Sequence, residues 1–273
     1  MILPDFTPVS SKPVLPSHRH LPASRISQAC DGILNLIFPD RCFLCTAPVA
    51  RLRDCSVCGD CWGKAVSLRL KPPWCPSCGL PFQMMPLTDE GHLCGACSVQ
   101  IPPFSGARSF GYYAAQLSRL VQGFKFERRR NLAKPLASLL ASAYLETWRR
   151  EEFELVVPVP LHPRRRRERG FNQAALLAAA LQEQLMLPCS ESPLSRVRDT
   201  LPQVGLSDAE RQRNLRSAFR CDRPALVRDR RVLLVDDVMT TGATAASASE
   251  ALLTAGARSV SVLTVARAVP GIE

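Results

Sequence analysis

The segment 232–244 carries the side chains best suited to chemistry. Four apolar residues are followed by two carboxylates, Asp236 and Asp237, and then by a loop of small and hydroxylated residues, Thr240, Thr241, Gly242, Ala243 and Thr244. Such a loop brings backbone N–H groups close to a phosphate, and a helix that follows it adds its own free N–H groups. The carboxylates would repel a phosphate, so they fit the hydroxyls of a ribose or a bound metal ion. The simpler alternative is a strand-to-helix turn capped by threonines.

A second anion site is predicted where the apolar segment 155–159 runs into a cluster of arginines. The cluster begins at Arg164 and ends at Arg169, which precedes Gly170 and the start of a helical pattern. Guanidinium groups bind phosphate oxygens in a fork-shaped geometry, so pyrophosphate is the natural occupant. Arg164 and Arg169 flank the cluster and are the favoured ligands. A solvated run of charge is the alternative.

Four CxxC pairs predict two zinc sites in the first hundred residues. Each pair places two sulfurs on one tight turn, and two facing turns give a closed tetrahedral thiolate site, which is structural rather than catalytic. The preferred pairing is sequential, although a crossed pairing and an iron–sulfur cluster are the alternatives. The eight predicted ligands are Cys42, Cys45, Cys58, Cys61, Cys75, Cys78, Cys94 and Cys97.

The composition bounds the partners and the compartment. The chain has 273 residues and a formal net charge of +11, which favours anionic partners such as nucleic acid or nucleotides. It has no apolar run of about 18 residues that would span a membrane, and its Pro- and Ser-rich beginning lacks the apolar core of a secretory signal. Twelve cysteines without an export signal indicate reduced thiols, hence a cytoplasmic protein.

The pattern beyond residue 104 predicts the elements that position these groups. Strands are expected at 107–113, 155–159, 232–235 and 259–265, and helices around 117–124 and at 132–148, 171–187 and 242–254, with a basic turn at 125–130. Alternating strands and helices indicate an α/β domain with a mostly parallel sheet. We therefore predict a disordered tail (1–29), a double zinc ribbon (30–103) and an α/β domain (104–273), with an irregular insertion at 190–231.

Taken together, the CxxC pairs, PVPL at 158–161, RERGFNQA at 167–174 and VLLVDDVMTTGAT at 232–244 resemble the ComF family. The resemblance covers roughly residues 34–268 and includes Lys125. It implies a double zinc ribbon joined to a type I phosphoribosyltransferase-like domain and, in competent bacteria, a link to DNA uptake and to single-stranded DNA. The implied ligand is phosphoribosyl pyrophosphate (PRPP) with Mg²⁺, and the implied partners are single-stranded DNA and DNA-uptake proteins. An oligomer is compatible with the sequence.

The resemblance also assigns roles to residues. It implies Asp236 and Asp237 on the ribose hydroxyls, which makes them the candidate catalytic residues, and Thr240 to Thr244 around the 5′-phosphate. Lys125 would join the two favoured arginines at the pyrophosphate. Thr240 stands where purine-salvage enzymes carry a carboxylate, so the threonine-rich version looks more like the orotate enzymes. A lid would close through Arg198, Gln203, Arg211 and Asn214.

Three functions follow from these residues. The chain is a DNA-handling protein with a PRPP site, an active phosphoribosyltransferase with an unknown acceptor, or a silent scaffold that senses PRPP. Nucleic-acid binding would fall steeply with salt and would need aromatic rings for base stacking, for which Trp62, Trp74 and Phe82 are the candidates.

Overall fold

The structure is a computed structural model that describes residues 40–49, 56–82, 91–148, 152–188, 192–198 and 218–272. The predicted tail 1–29 and three of the four predicted lid residues, Gln203, Arg211 and Asn214, lie outside the described residues.

The described chain alternates strands and helices after two short cysteine-rich units. The strands are β1 (Asp40–Arg41), β2 (Pro48–Val49), β3 (Gly106–Tyr112), β4 (Leu155–Pro158), β5 (Leu194–Arg196), β6 (Phe219–Cys221), β7 (Arg231–Met239) and β8 (Ser259–Arg267). The helices are α1 (Gly59–Ser67), α2 (Gly95–Val99), α3 (Ala115–Phe126), α4 (Ala133–Thr147), α5 (Pro163–Arg169), α6 (Gln173–Leu185) and α7 (Ala243–Thr254). Within the described ranges, every helix is too short or too polar to cross a bilayer.

Four strands form a parallel sheet in the order β3-β8-β7-β4. The prediction of an α/β fold with a mostly parallel sheet is therefore confirmed. The central strands are apolar on both faces, because helices or cysteine-rich units cover both faces. β5 and β6 pair as a separate antiparallel ribbon. The outer edge of β3 is covered by the segment that follows α1, in which the Leu70 N–H donates to the Phe110 carbonyl at 2.9 Å.

Two cores lie on opposite faces of the sheet, and each contains one four-cysteine unit. Leu233 and Val235 of β7 point into the first core, with α3, α4, α6 and the unit that holds Cys42 and Cys61. Val232 and Leu234 point into the second, with α7 and the unit that holds Cys75, Cys78, Cys94 and Cys97. The alternation of side chains along a strand thus determines which unit each face of β7 contacts.

Two predicted boundaries were wrong. The strand predicted at 232–235 continues to Met239, because β8 supplies pairing partners as far as Arg267. The acidic pair therefore lies within the strand rather than after it. The basic turn predicted at 125–130 begins later, since α3 runs through Lys125 and ends at Phe126.

Candidate functional site

The acidic pair lies near the carboxyl end of β7, at the edge of the sheet where open α/β folds bind ligands. The two side chains point to opposite faces of the strand, as neighbours in a strand must. The Asp237 side chain is buried, with 6% of the residue exposed, and Asp236 is half-buried. The Asp236 carboxylate accepts a hydrogen bond from the backbone N–H of Asp237 at 2.8 Å.

Lys125 is the partner of the buried carboxylate. Its Nζ lies 2.8 Å from Asp237 Oδ1, and the two side chains are only 17% and 9% exposed. Burial acts to lower the pKa of Lys125, but the charge and hydrogen bond of Asp237 outweigh it and raise the pKa. The lysine therefore stays charged and holds the last turn of α3 against β7. Sequence reasoning placed Lys125 near the site but did not pair it with Asp237.

The surroundings of Asp236 favour its neutral form, whereas those of Lys125 favour its charged form. Its burial, together with the negative charge of Asp237, raises the pKa of Asp236 to about 7, although Lys125 acts in the other direction. Asp236 is thus about half protonated at pH 7, and a cation bound beside it would favour the ionised form. A carboxylate with this property suits a metal or a hydroxyl-bearing ligand that favours the ionised form.

The raised pKa of Asp236 predicts a specific pH dependence of stability. The folded protein binds this proton more tightly than the unfolded chain, whose carboxyl titrates at about 3.8. The stabilisation is therefore complete below about pH 4 and is lost as pH rises through about 7. We expect Asp236→Asn to remove this loss, so that wild type loses more stability than the variant as the pH rises from about 4 to about 7. Thermal unfolding of both proteins across this pH range measures the difference in stability. An equal pH dependence of the two proteins would contradict the prediction.

The loop after β7 turns into α7 at Gly242. Gly242 has φ +86°, the left-handed region that glycine adopts without strain. A Cβ at this position would lie 2.8 Å from Met239 Cε and 4.0 Å from Phe104 Cζ. Thr240 and Thr241 are exposed on the loop, and α7 begins at Ala243. The Ala243 N–H donates to Thr241 Oγ1 at 3.4 Å, and the positive end of the α7 dipole faces this loop, as it does in helix-terminal anion sites.

The predicted arginine cluster forms the short helix α5, and its members face different directions. Arg169 is half-buried and donates to Gln173 Oε1 at 3.3 Å, while the Gln173 amide donates to the Lys125 carbonyl at 3.3 Å. Burial lowers the pKa of Arg169, and the charge of Asp237 opposes that effect. Arg169, Gln173 and Lys125 therefore form one linked group beside the acidic pair. Arg164 is paired with Glu168 at 3.1 Å on the outer surface of the helix.

Two residues near the site were given no role from the sequence, although Gln173 lies in the RERGFNQA motif. Gln173 is 1% exposed and links α3 to α5. Arg196 on β5 is 8% exposed, and its charge acts on the pKa of Asp236. Arg196 also lines a cavity of about 570 Å³ with Arg166 and Arg167. Arg198, the predicted lid residue that the structure describes, follows shortly after it.

The cysteines form two clusters of four. Within each cluster the sulfurs lie within 4.8 Å of one another, and the members are Cys42, Cys45, Cys58 and Cys61 in the first and Cys75, Cys78, Cys94 and Cys97 in the second. The sequential pairing is confirmed and the crossed pairing is excluded. Four converging thiols fit tetrahedral zinc, and such closed sites serve to fold the chain.

Comparison with known proteins gives the same two-part organisation. Residues 33–98 match the double zinc ribbon domain, and residues 172–270 match the phosphoribosyl transferase domain. The chain is 38% identical over 235 residues to the DNA utilization protein YhgH of Salmonella typhimurium, covering 85% of this chain and 99% of that protein. It is 34% identical over 238 residues to Competence protein F of Haemophilus influenzae, covering 85% and 98%.

Among solved structures, the chain is similar to the allosteric regulatory enzyme of purine biosynthesis. The identity is 24% and the TM-score is 0.33, and the match covers 50% of this chain and 25% of that enzyme.

Proposed function

This chain belongs to the ComF family, and we propose that it binds PRPP with Mg²⁺ and acts in DNA utilization or competence. The relatives that support the second half of the proposal are named as DNA utilization and competence proteins, and they match almost end to end. The matched phosphoribosyl transferase domain supports the first half.

The adjacency of the acidic pair and the threonine–glycine loop carries the proposal. In it, Asp236 and Asp237 accept hydrogen bonds from the 2′- and 3′-hydroxyls of ribose. The 5′-phosphate lies on the loop Thr240 to Thr244 and on the first turn of α7, where N–H groups and hydroxyls converge. A phosphorylated ribose presents both a diol and a phosphate, whereas free phosphate or a plain sugar would use half of the site.

The pyrophosphate would face the cationic side of the site. Lys125 and Arg169 are proposed as its ligands because both lie beside Asp237. Arg164 is a weaker member of this group, since Glu168 already holds it on the outer surface. Mg²⁺ would neutralise charge on the pyrophosphate, and the ionised carboxylate of Asp236 is a candidate oxygen ligand for it.

Single-stranded DNA and DNA-uptake proteins are the proposed partners, and eight zinc-binding thiols suit the reducing cytoplasm. Thr240 stands where purine-salvage enzymes carry a carboxylate. The activity that we propose is therefore the binding of PRPP. Transfer of the phosphoribosyl group, with release of pyrophosphate as a nucleophile bonds to C1 of ribose, is the alternative that a pyrophosphate-release assay would reveal.

Hydrogen–deuterium exchange with PRPP and Mg²⁺ tests the proposed site. We expect slower exchange in peptides that contain residues 236–246 and the last turn of α3, because the ligand would cover their backbone N–H groups. Ribose 5-phosphate should protect the loop but not the end of α3, since it lacks the pyrophosphate. The peptide around Cys42 is the internal control. Protection confined to other segments, or none at all, would overturn the proposal.

A further inference from the structure

One exposed aromatic ring lies beside two arginine-rich segments of the described chain. Phe126, the last residue of α3, is 66% exposed and is the only exposed Phe, Tyr or Trp among the described residues. The rings proposed from the sequence, Trp62, Trp74 and Phe82, are all half-buried.

The charges around Phe126 come from two segments that the fold brings together. Residues 126–130 contain three arginines and one glutamate, and residues 163–170 contain five arginines and one glutamate. Arg128 donates to the Glu168 carbonyl at 3.1 Å, and Arg130 donates to the Gly170 carbonyl at 3.1 Å. These bonds join the segments into one surface, which we call the Phe126 patch (126–130 and 163–170).

Phe126 is held in a fixed orientation within this patch. The Arg169 guanidinium lies 5.0 Å from the ring centroid, a cation–π contact that covers one face. The backbone of Phe126 is fixed by the helix, whose preceding residue Lys125 is anchored to Asp237. The ring therefore presents a rigid open face beside a dense group of guanidinium groups.

We infer that the Phe126 patch binds single-stranded nucleic acid, with an unpaired base stacked on Phe126 and the backbone phosphates on the arginines. A flat ring among arginines is the combination that proteins use for single strands, because every base has a face that can stack. A duplex offers phosphates but no free base face, so it would use the arginines without the ring. An anionic lipid surface would also meet the arginines, but it would require an apolar group that projects rather than one packed under Arg169.

The patch adjoins the acidic pair, and this gives the inference a further consequence. Arg169 belongs both to the patch and to the linked group at Asp237. A strand on the patch would thus pass the mouth of the ligand site. This relation to the ligand rests on the proposed PRPP site, whereas the contact between a single strand and Phe126 is argued from the patch alone.

Fluorescence anisotropy with a labelled oligothymidine of about 20 nucleotides tests the stacking contact. Phe126→Ala should weaken binding of the single strand by roughly 5- to 100-fold, and Phe126→Trp should retain it. Phe126→Ala should bind a duplex of the same length nearly as tightly as wild type does. Ile101→Ala is the matched control, because Ile101 is another exposed apolar side chain, 70% exposed, outside the patch. Equal loss for single strand and duplex, or no loss at all, would overturn the inference.

The arginines are tested by salt dependence. Arg128→Gln/Arg130→Gln should weaken binding and reduce the slope of log K against log salt by about one to two. Arg119→Gln/Arg228→Gln removes the same charge from exposed positions outside the patch and should change the slope less. Anionic vesicles of phosphatidylserine and phosphatidylcholine form the last arm. Tight vesicle binding that depends on Phe126, without strand binding, would replace the inference with a membrane surface.

The outcomes separate this inference from the proposed function. Phe126→Ala should keep the PRPP-dependent protection of residues 236–246. If Phe126→Ala binds the single-stranded oligonucleotide as wild type does and the PRPP-dependent protection is intact, only the inference is overturned. If binding of the single-stranded oligonucleotide depends on Phe126 but PRPP does not slow hydrogen exchange in wild type, only the proposed PRPP function is overturned.

Discussion

Cys94→Ser/Cys97→Ser is expected to remove one zinc per chain, to unfold the second ribbon and to loosen the loop 239–246. Structural zinc contributes apparent free energies of about 10–16 kcal/mol in small zinc-finger peptides, which is comparable to the whole stability of a typical domain. The four cysteines of the second site are all buried, and they share a core with Leu234 of β7 and Val262 of β8. Loss of this ribbon would therefore expose one face of the sheet.

Arg267 explains why the effect should reach the loop. This residue is 5% exposed, and its guanidinium donates to the Cys78 carbonyl at 3.0 Å and lies 3.8 Å from Cys78 Sγ. Four thiolates around Zn²⁺ carry a net negative charge, which stabilises the buried guanidinium. Arg267 pairs with Met239, the residue before the loop. Removal of zinc would leave the guanidinium without that negative charge at the base of the phosphate loop.

Cys42→Ser/Cys45→Ser is the matched control for this prediction. It also removes a zinc, but from the ribbon on the opposite face of the sheet. Zinc content, thermal unfolding and hydrogen exchange are measured for both variants. Faster exchange at 239–246 only in the second-site variant is the expected result. Equal exchange at the loop in both variants would show that Arg267 does not connect the second site to it.

The sequence predicted the elements whose signals are local. The strand Leu155–Pro158 and the helix Gln173–Leu185 were recognisable from apolar runs and periodicity, within a few residues at each end. The spacing of the CxxC pairs favoured the sequential zinc pairing but left the crossed pairing open, and the structure decides between them. The end of β7 was missed because strand pairing with β8, and not local propensity, extends it to Met239.

The parts of the site that the sequence could not supply depend on contacts between distant segments. Lys125 and Asp237 are separated by more than a hundred residues, and nothing in either segment specifies their 2.8 Å contact. Gln173 was noted only as part of the RERGFNQA motif, and the motif did not reveal that this side chain is buried and links Lys125 to Arg169. Phe126 fell in the predicted basic turn 125–130, whereas the structure places it on the last turn of α3. Its exposure depends on where α5 packs.

Asp236→Asn/Asp237→Asn is expected to weaken PRPP binding by roughly 100-fold or more, about 2.7 kcal/mol, because charge-assisted hydrogen bonds to the ribose hydroxyls are lost. Asn keeps the shape of each side chain but reduces its power as an acceptor. Asp237→Asn also leaves Lys125 without its ion-pair partner, so some loss of stability accompanies the loss of binding. Asp222→Asn/Asp229→Asn removes the same charge from exposed positions on the surface and should bind as wild type does.

Titration calorimetry with PRPP and Mg²⁺ on these three proteins is the most direct test that the end of β7 is a phosphoribosyl site. Circular dichroism and zinc content first establish that each protein is folded and carries two zinc ions. The expected result is saturable binding by wild type and by the surface variant, and none by Asp236→Asn/Asp237→Asn at the same concentrations. Wild-type affinity in the double variant, or no binding by folded, zinc-loaded wild type, would contradict it.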